Sequence, residues 1–352
     1  MVLLASKPSI ECKILDDGYL PAWDCFVARH PKGTIYHFSI WRDILAQAVG
    51  KRWYLIAAIQ EGEIRAGLPV VHMKSRLFGN FLVSMPYVNY GGLLADDASL
   101  RESLLQEAIP LGRRLGTSYL ELRHLSNCCP QLPKRQDKVS MWLQLPESAE
   151  QLMASFNAKL RSQIRKGEKN HLTATVGGVE LLDDFYTVFS RNMRDLGTPV
   201  YGRRFFELIL NSFPQSSRLV VVKGSGNVPL AAGFLLGYRE RLEIPWASSL
   251  RQFNHLQTNM WLYWTCLRYA CEEGYRIFDF GRSTVDSSTY KFKEQWGAQP
   301  IPHYWHYCLN HGQEIPQLNP KNARFQLAIS VWQRLPVAAT RLIGPAIVKH
   351  LP

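Results

Sequence analysis

The sequence predicts the α/β (α+β) class: two tandem domains with mixed, mostly antiparallel sheets, followed by a short helical C-terminal tail. Three observations carry this prediction. The chain has 352 residues, room for two domains of ordinary size. Short apolar strands and glycine-closed helices follow one another in the same order in both halves. A short segment recurs at a spacing of about 160 residues, which points to a duplicated domain and away from a solenoid.

The recurring segment is PKGTIYHFSIWRDIL at 31–45 and DLGTPVYGRRFFELIL at 195–210. Each places a Gly-Thr pair (Gly33-Thr34, Gly197-Thr198) eight positions before an aromatic (Trp41, Phe205) that opens a helical stretch, with an acid two residues on (Asp43, Glu207). After the first copy come strands at 53–59, near 64–73 and around 81–88; after the second come 218–224, 229–238 and 241–249. Helices follow at 98–115 and 259–273, closed by Gly116 and Gly274. Each leads into a strand, 119–125 or 275–281, and each half ends on one more, 139–145 or 303–309. This order is that of an acetyltransferase-like (GNAT-type) domain. The boundary falls near Pro146, giving domains over 1–146 and 147–315 and a tail over 316–352.

The tail has no acid after Glu314 and carries Arg324, Arg334, Arg341 and Lys349 among apolar residues. Pro336 and Pro345 are expected to break it into short helices. It reads either as a segment packed on its domain or as a basic amphipathic helix in peripheral contact with an anionic inner-membrane face.

Forty-one Lys and Arg against 29 Asp and Glu leave a net charge of +12, which favours anionic partners such as phosphates, tRNA or acidic lipid. The seven cysteines are odd in number and offer no C-x-x-C pair. Together with an N-terminus lacking a basic region and A-x-A site, and no apolar run of the roughly 18 residues needed to span a bilayer, this predicts a cytoplasmic protein. No metal site is expected: His303 and His306, three apart on a strand, fall on opposite faces. No G-x-S-x-G elbow, Walker loop or dinucleotide fingerprint is present.

Polar chemistry gathers where strands stop. In RLEIPWASS (241–249), alternation sets Arg241, Glu243 and Pro245 on one face and Ile244, Trp246 and Ser248 on the other. Glu243 is a candidate base for removing a proton from an amine, or a partner of Arg239 or Arg241 on a solvated face. Asp279 shares a face with Tyr275 and Ile277, so it must be paired or have a raised pKa. It is a candidate acid or base, or a structural lock to Arg282 or to backbone. The loop 250–259 has no glycine to close backbone N–H groups on a pyrophosphate; Asn254, His255 and Asn259 could replace them, or Thr258 or Asn259 simply caps the helix. After Ser283, a helix capped by Ser287 or Ser288 sets Tyr290, Lys293 and Trp296 along one side. An ammonium among aromatics needs an anionic or carbonyl partner, so Lys293 can neutralise phosphate or polarise an acyl ester. Arg161, Arg165 and Lys169 form a basic stripe on NAKLRSQIRKGEKN, either solvated or facing phosphate.

The stretches LRSQIRKGEKN, LGTPVYGRRFF, AAGFLLGY, RLEIPWASS, NMWLYW, FDFGRSTVDSSTYKFKEQWGAQP and YWHY resemble the FemAB-like proteins that accompany exosortase A and PEP-CTERM sorting systems, over about residues 150–310. More broadly they resemble the FemAB peptidyltransferases. That resemblance implies two acetyltransferase-like domains that pass an amino acid from aminoacyl-tRNA to an amine. It places the F-K-x-x-aromatic-G element on Phe292, Lys293, Trp296 and Gly297, and Arg161 and Arg165 in the basic helix opening the second domain. The long helical arm of some such enzymes is missing. The expected function is N-acyl transfer to an amine, on an activated amino sugar or glycan precursor of exopolysaccharide or envelope. Lys293 and Arg282 would stabilise charge, and Glu243 or Asp279 would handle the proton. Trp246, Ser248, Asn254, Asn259, Ser283 and Tyr290 would line the cleft. No cofactor is expected to be held tightly; the donor is aminoacyl-tRNA or acyl-coenzyme A. The competing expectations are a non-catalytic polyanion- or glycan-binding protein and an ordinary coenzyme A enzyme.

Overall fold

The computed structural model describes residues 10–76, 78–310, 314–316 and 323–351. In chain order the elements are β1 (Glu11–Leu15), α1 (Leu20–Arg29), α2 (Trp41–Val49), β2 (Arg52–Gln60), β3 (Glu63–Ser75), β4 (Gly79–Val83), α3 (Ala98–Leu115), β5 (Tyr119–His124) and β6 (Lys134–Arg135). There follow β7 (Lys138–Gln144), α4 (Ala149–Ser155), α5 (Ala158–Lys169), β8 (Thr173–Gly177), α6 (Leu182–Leu196), α7 (Arg203–Ser212), β9 (Ser217–Lys223), β10 (Pro229–Tyr238) and β11 (Arg241–Ser249). The chain ends with α8 (Thr258–Glu272), β12 (Ile277–Thr284), α9 (Ser288–Glu294), β13 (Gln299–Pro302), β14 (Tyr304–Leu309), α10 (Ala323–Arg334) and α11 (Val337–Val348).

Two compact units result. Of the described residues, one holds those up to Gln136 and those within 303–316 and 350–351; the other holds Asp137–Pro302 with α10 and α11. Each has a seven-stranded sheet, in the order β1-β2-β3-β4-β5-β14-β6 and β8-β9-β10-β11-β12-β7-β13. Strand for strand the orders correspond. In each sheet a single neighbouring pair is parallel, β4 with β5 and β11 with β12. A parallel pair needs a crossover, and α3 and α8 supply it. Gly116 ends α3 in the left-handed conformation (φ 66°), the closure its position in the sequence predicts.

The first unit's core joins Ile56, Leu68, Val70, Leu82 and Leu122 from the sheet to Leu104, Ala108 and Leu111 of α3. The second joins Val220, Val222, Ile244 and Phe278 to Leu262, Cys266, Leu267 and Ala270 of α8. These are the positions where strand alternation and helical spacing coincide on one face.

The closing strands correct one expectation. The strand read at the end of the first half, β7, pairs with β12 in the second sheet, and β14, read at the end of the second half, pairs with β5 in the first. Both strands form where alternation places them. Which ladder accepts them depends on partners far along the chain, and two similarly patterned strands do not encode that choice locally. The leading strands β1 and β8 and the short β6 and β13 complete the sheets; the sequence reading did not mark them.

The tail helices pack in the second unit. Pro336 precedes α11 as expected, but α11 runs through Pro345, where proline removes one i→i−4 donor near the helix end. Arg194 donates to the Leu335 carbonyl at 3.0 Å and Arg341 Nε to Ser190 Oγ at 2.8 Å. Among the described residues, Leu327, Val331, Leu342 and Ile343 stay exposed. No helix of the described residues is long and apolar enough to cross a membrane.

Candidate active site

The site grows out of a failure of pairing. β11 and β12 run in parallel register for three residues, Arg241–Glu243 against Ile277–Asp279, although β11 continues to Ser249 and β12 to Thr284. Beyond that point β11 stays with β10 and β12 with β7. Each strand also takes one extra residue there. From Glu243 to Trp246, β11 makes three steps against two in β10; from Asp279 to Arg282, β12 makes three against two in β7. Pro245 lies in the first bulge and has no N–H to offer a ladder. Gly281, at φ 75°, lies in the second. Two adjacent bulges turn the strands apart, and the sheet opens between them. The strict alternation expected along 241–249 therefore breaks after Ile244.

Glu243 and Asp279 stand at the closed end of this opening, both buried (3% and 0% exposed). Burial rules out the solvated face considered for Glu243. Asp279 Oδ1 accepts the Gly281 N–H at 2.8 Å, the backbone lock that the sequence raised as one option. Burial pushes its pKa up, while the Arg241 charge and this hydrogen bond pull it back.

Lys293 reaches the same place from α9. Ser287 Oγ accepts the Tyr290 N–H at 3.2 Å and so starts the helix against β12. Lys293 Nζ then donates to the Gly281 carbonyl at 2.9 Å and the Arg282 carbonyl at 3.0 Å. Its ammonium clamps the β12 bulge with two of its three protons. Burial pushes its pKa down to about 8; Asp279 and Glu243 oppose that shift and Arg282 adds to it. Ser283, the next residue along, has a buried hydroxyl with no hydrogen-bond partner.

The other expected residues divide. Arg282 is exposed and offers its carbonyl to Lys293. Ser248 Oγ accepts Asn192 Nδ2 at 3.0 Å. Trp246 is not an open cleft wall: its indole sits 5.3–5.6 Å from the rings of Phe206, Phe234 and Phe205 in an aromatic core. Tyr290 is half-buried against the core. Asn254 lies exposed in a 3-10 turn over Arg251–Leu256, and Asn259 is half-buried in the first turn of α8. Neither Thr258 nor Asn259 caps α8, because Gln257, in left-handed conformation (φ 64°), occupies the cap position without a side-chain bond. Thr258 Oγ1 is buried at that helix start with no partner.

Arg161 has a structural contact that the sequence reading did not foresee. Its guanidinium donates to the carbonyls of Ala154 and Phe156 and closes the end of α4. Arg165, Lys166 and Lys169, with Arg161, Ala158 and Ser162, line an open cavity of about 490 Å³ beside α5.

Sequence reasoning missed Trp142 and named Arg241 only as a partner of Glu243. Trp142 stands opposite Asp279 across β7 and β12, and the Arg241 guanidinium lies 4.7 Å from its ring centroid. Trp142 could not be foreseen here, because its strand was assigned to the other half.

The first unit builds the corresponding place from other residues. There β4 and β5 pair only at Leu82–Val83 and Leu120–Glu121, so Glu121 holds the position of Asp279. Arg123 Nε donates to Glu121 Oε1 at 2.7 Å and Tyr307 OH to Oε2 at 3.0 Å. Arg123 also donates to the Val88 carbonyl at 3.2 Å and lies 4.5 Å from the Trp305 ring centroid. Both carboxylate oxygens of Glu121 thus accept hydrogen bonds from the unit itself.

Residues 154–294 match the family model described as an acetyltransferase (GNAT) domain. Curated protein sequences give no match. Among solved structures, the chain is similar to the crystal structure of FemX, at 15% identity and TM-score 0.66, covering 84% of this chain and 96% of that one. It is similar to L-PGS from Bacillus licheniformis, at 13% identity and TM-score 0.56, covering 92% and 99%. It is similar too to a tandem GNAT protein from the clavulanic acid biosynthesis pathway, at 10% identity and TM-score 0.55, covering 87% and 100%. Similarity at these identities shows the fold, two GNAT-type units in tandem, and the matched domain is the unit that holds Glu243, Asp279 and Lys293.

Proposed function

We propose that this acyltransferase of two GNAT-type units forms an amide, passing an aminoacyl group from aminoacyl-tRNA to the amine of an activated amino sugar in an exopolysaccharide or cell-envelope precursor. The observation that carries the reading is the Lys293 ammonium, held on the Gly281 and Arg282 carbonyls at the opening that Glu243 and Asp279 close. In the proposed reaction the amine nitrogen attacks the acyl carbon and the ester C–O bond breaks. Glu243 takes the amine proton, which ends on the departing hydroxyl. In this reading Lys293 and the Ser283 hydroxyl stabilise the charge that develops on the carbonyl oxygen.

The basic cavity along α5 supports a polyphosphate donor such as tRNA, since closely spaced cations attract a phosphate backbone. The sequence motifs at 278–300 support an exosortase/PEP-CTERM-linked pathway through their family resemblance. The apolar side chains left exposed on α10 and α11, in a tail without acids after Glu314, support peripheral contact with an anionic membrane that would carry such a precursor. A second reading, acyl-coenzyme A as donor, is favoured by one feature: the α8 N-terminus has no side-chain cap and holds the unpartnered Thr258 hydroxyl.

The test incubates purified protein with aminoacyl-tRNA or acyl-coenzyme A and a panel of amino-sugar acceptors, and searches for a new amide by mass spectrometry. Product with aminoacyl-tRNA alone supports the proposal. Product with coenzyme A thioesters alone selects the second reading. Tight, salt-sensitive glycan binding with no product from either donor would sink both.

A further inference from the structure

We propose that His124, Cys128 and His306 of the first unit bind a divalent transition metal of the zinc class. Their ligand atoms all lie within 4.8 Å of one another, the one such His/Cys/Asp/Glu group among the described residues. The sequence hides this cluster because His124 and His306 are 182 residues apart. The exchange of β14 brings them together. Tyr304 is the register partner of His124, so His306, two residues further along β14, shares its face of the sheet on the diagonal.

The spacing suits a shared ion. His124 Nδ1 and His306 Nδ1 are 3.2 Å apart. Two imidazole nitrogens at ordinary zinc distances in a tetrahedral site are about 3.3 Å apart. Cys128, four residues after His124 in the loop beyond β5, supplies the thiol. Two imidazoles and a thiolate prefer zinc-class ions to magnesium or calcium, and the three leave a fourth tetrahedral position for solvent.

The outer contacts favour one histidine and tension the other. His306 Nε2 lies 3.1 Å from Asn127 Oδ1, an oxygen that also accepts from Lys134 Nζ at 3.1 Å. An acceptor there makes Nε2 the protonated nitrogen and leaves the Nδ1 lone pair for a ligand, the usual arrangement of a metal-bound histidine. His124 Nε2 accepts the Leu93 N–H at 3.0 Å. Without metal, His124 therefore carries its proton on Nδ1 and donates it to His306. On binding, that proton moves to Nε2, the Leu93 amide loses its acceptor, and the Cys128 thiol proton leaves for solvent. Metal and the Leu93 hydrogen bond exclude each other, which makes the Leu93 amide a reporter.

The test strips purified full-length protein with a chelator and titrates it with Co²⁺, reading the visible absorption of tetrahedral thiolate coordination, then displaces Co²⁺ with Zn²⁺. About one equivalent per chain is expected. Cys128→Ser should abolish the thiolate band, Cys271→Ser should leave it, and Asn127→Ala should weaken affinity by about 10–100-fold with all ligands intact. Circular dichroism confirms that each variant is folded. Hydrogen exchange at the Leu93 amide should speed up with Zn²⁺. A folded wild-type chain that takes up no stoichiometric Co²⁺, a band that survives Cys128→Ser, or a Leu93 amide equally protected with and without metal would overturn the assignment.

Discussion

Glu243 and Asp279 are the last register partners of the parallel ladder between β11 and β12, and one residue beyond each the strands bulge away from one another. Two carboxylates are thereby held where the ladder ends, and the Lys293 ammonium grips the Gly281 and Arg282 carbonyls of the adjoining bulge.

Replacing Lys293 tests the centre of the proposed chemistry. Lys293→Met is expected to lower turnover by roughly 10²–10³-fold, the scale of losing one preorganised donor to a developing oxyanion. It should also alter the response to alkali in a defined direction. The folded pKa, near 8, is below the ordinary 10.5, so between those values the unfolded chain binds more protons and stability contributed by this group rises with pH. Wild type should gain up to about 3 kcal/mol on the Met variant between pH 8 and 10.5, read by urea unfolding of both across that range.

Ser283→Ala separates function from stability. The hydroxyl is buried without a partner, so removing it takes away an unmet desolvation cost and should leave unfolding free energy unchanged or up to about 1 kcal/mol higher. Turnover should nevertheless fall about tenfold if the hydroxyl awaits the substrate carbonyl. A loss of stability with full activity would contradict this.

Glu121→Gln should behave in the opposite way. Glu121 and Arg123 form a buried ion pair, and removal of one charge leaves the other uncompensated, at a cost of about 3–5 kcal/mol. Transfer activity of the folded fraction should stay within about twofold of wild type, since the first unit's carboxylate is already committed. Thermal melts and initial rates on the same preparation check both halves of the statement.

Gly344→Val tests how the tail is seated. A Cβ at Gly344 would lie 2.8 Å from Val200 Cγ1 and 2.9 Å from the Val200 backbone nitrogen. The α11 helix must lift or the loop must shift, costing about 1–3 kcal/mol. Faster proteolytic cutting after Arg334 or Arg341, with the rest of the chain intact, is the expected result.

Much of this architecture could be read from the chain alone. Alternation located β2, β9, β10, β11 and β12, glycine marked the ends of α3 and α8, and the Gly-Thr segments at 33–34 and 197–198 revealed the duplication. Those signals are local: a strand or a helix terminus is specified by residues within a few positions of itself. The need of Lys293 for a partner was legible for the same reason, since an ammonium among aromatics demands a carbonyl or an anion. The identity of its acceptors was not. That Nζ would grip Gly281 and Arg282, that Arg161 would close α4 and that Trp246 would enter an aromatic core all depend on how a backbone bends in three dimensions. The exchange of β7 and β14, which sets Trp142 opposite Asp279 and His306 beside His124, was decided by tertiary structure alone. A ladder rewards any strand of matching pattern, and only the closure of the long intervening chain selects which one reaches it.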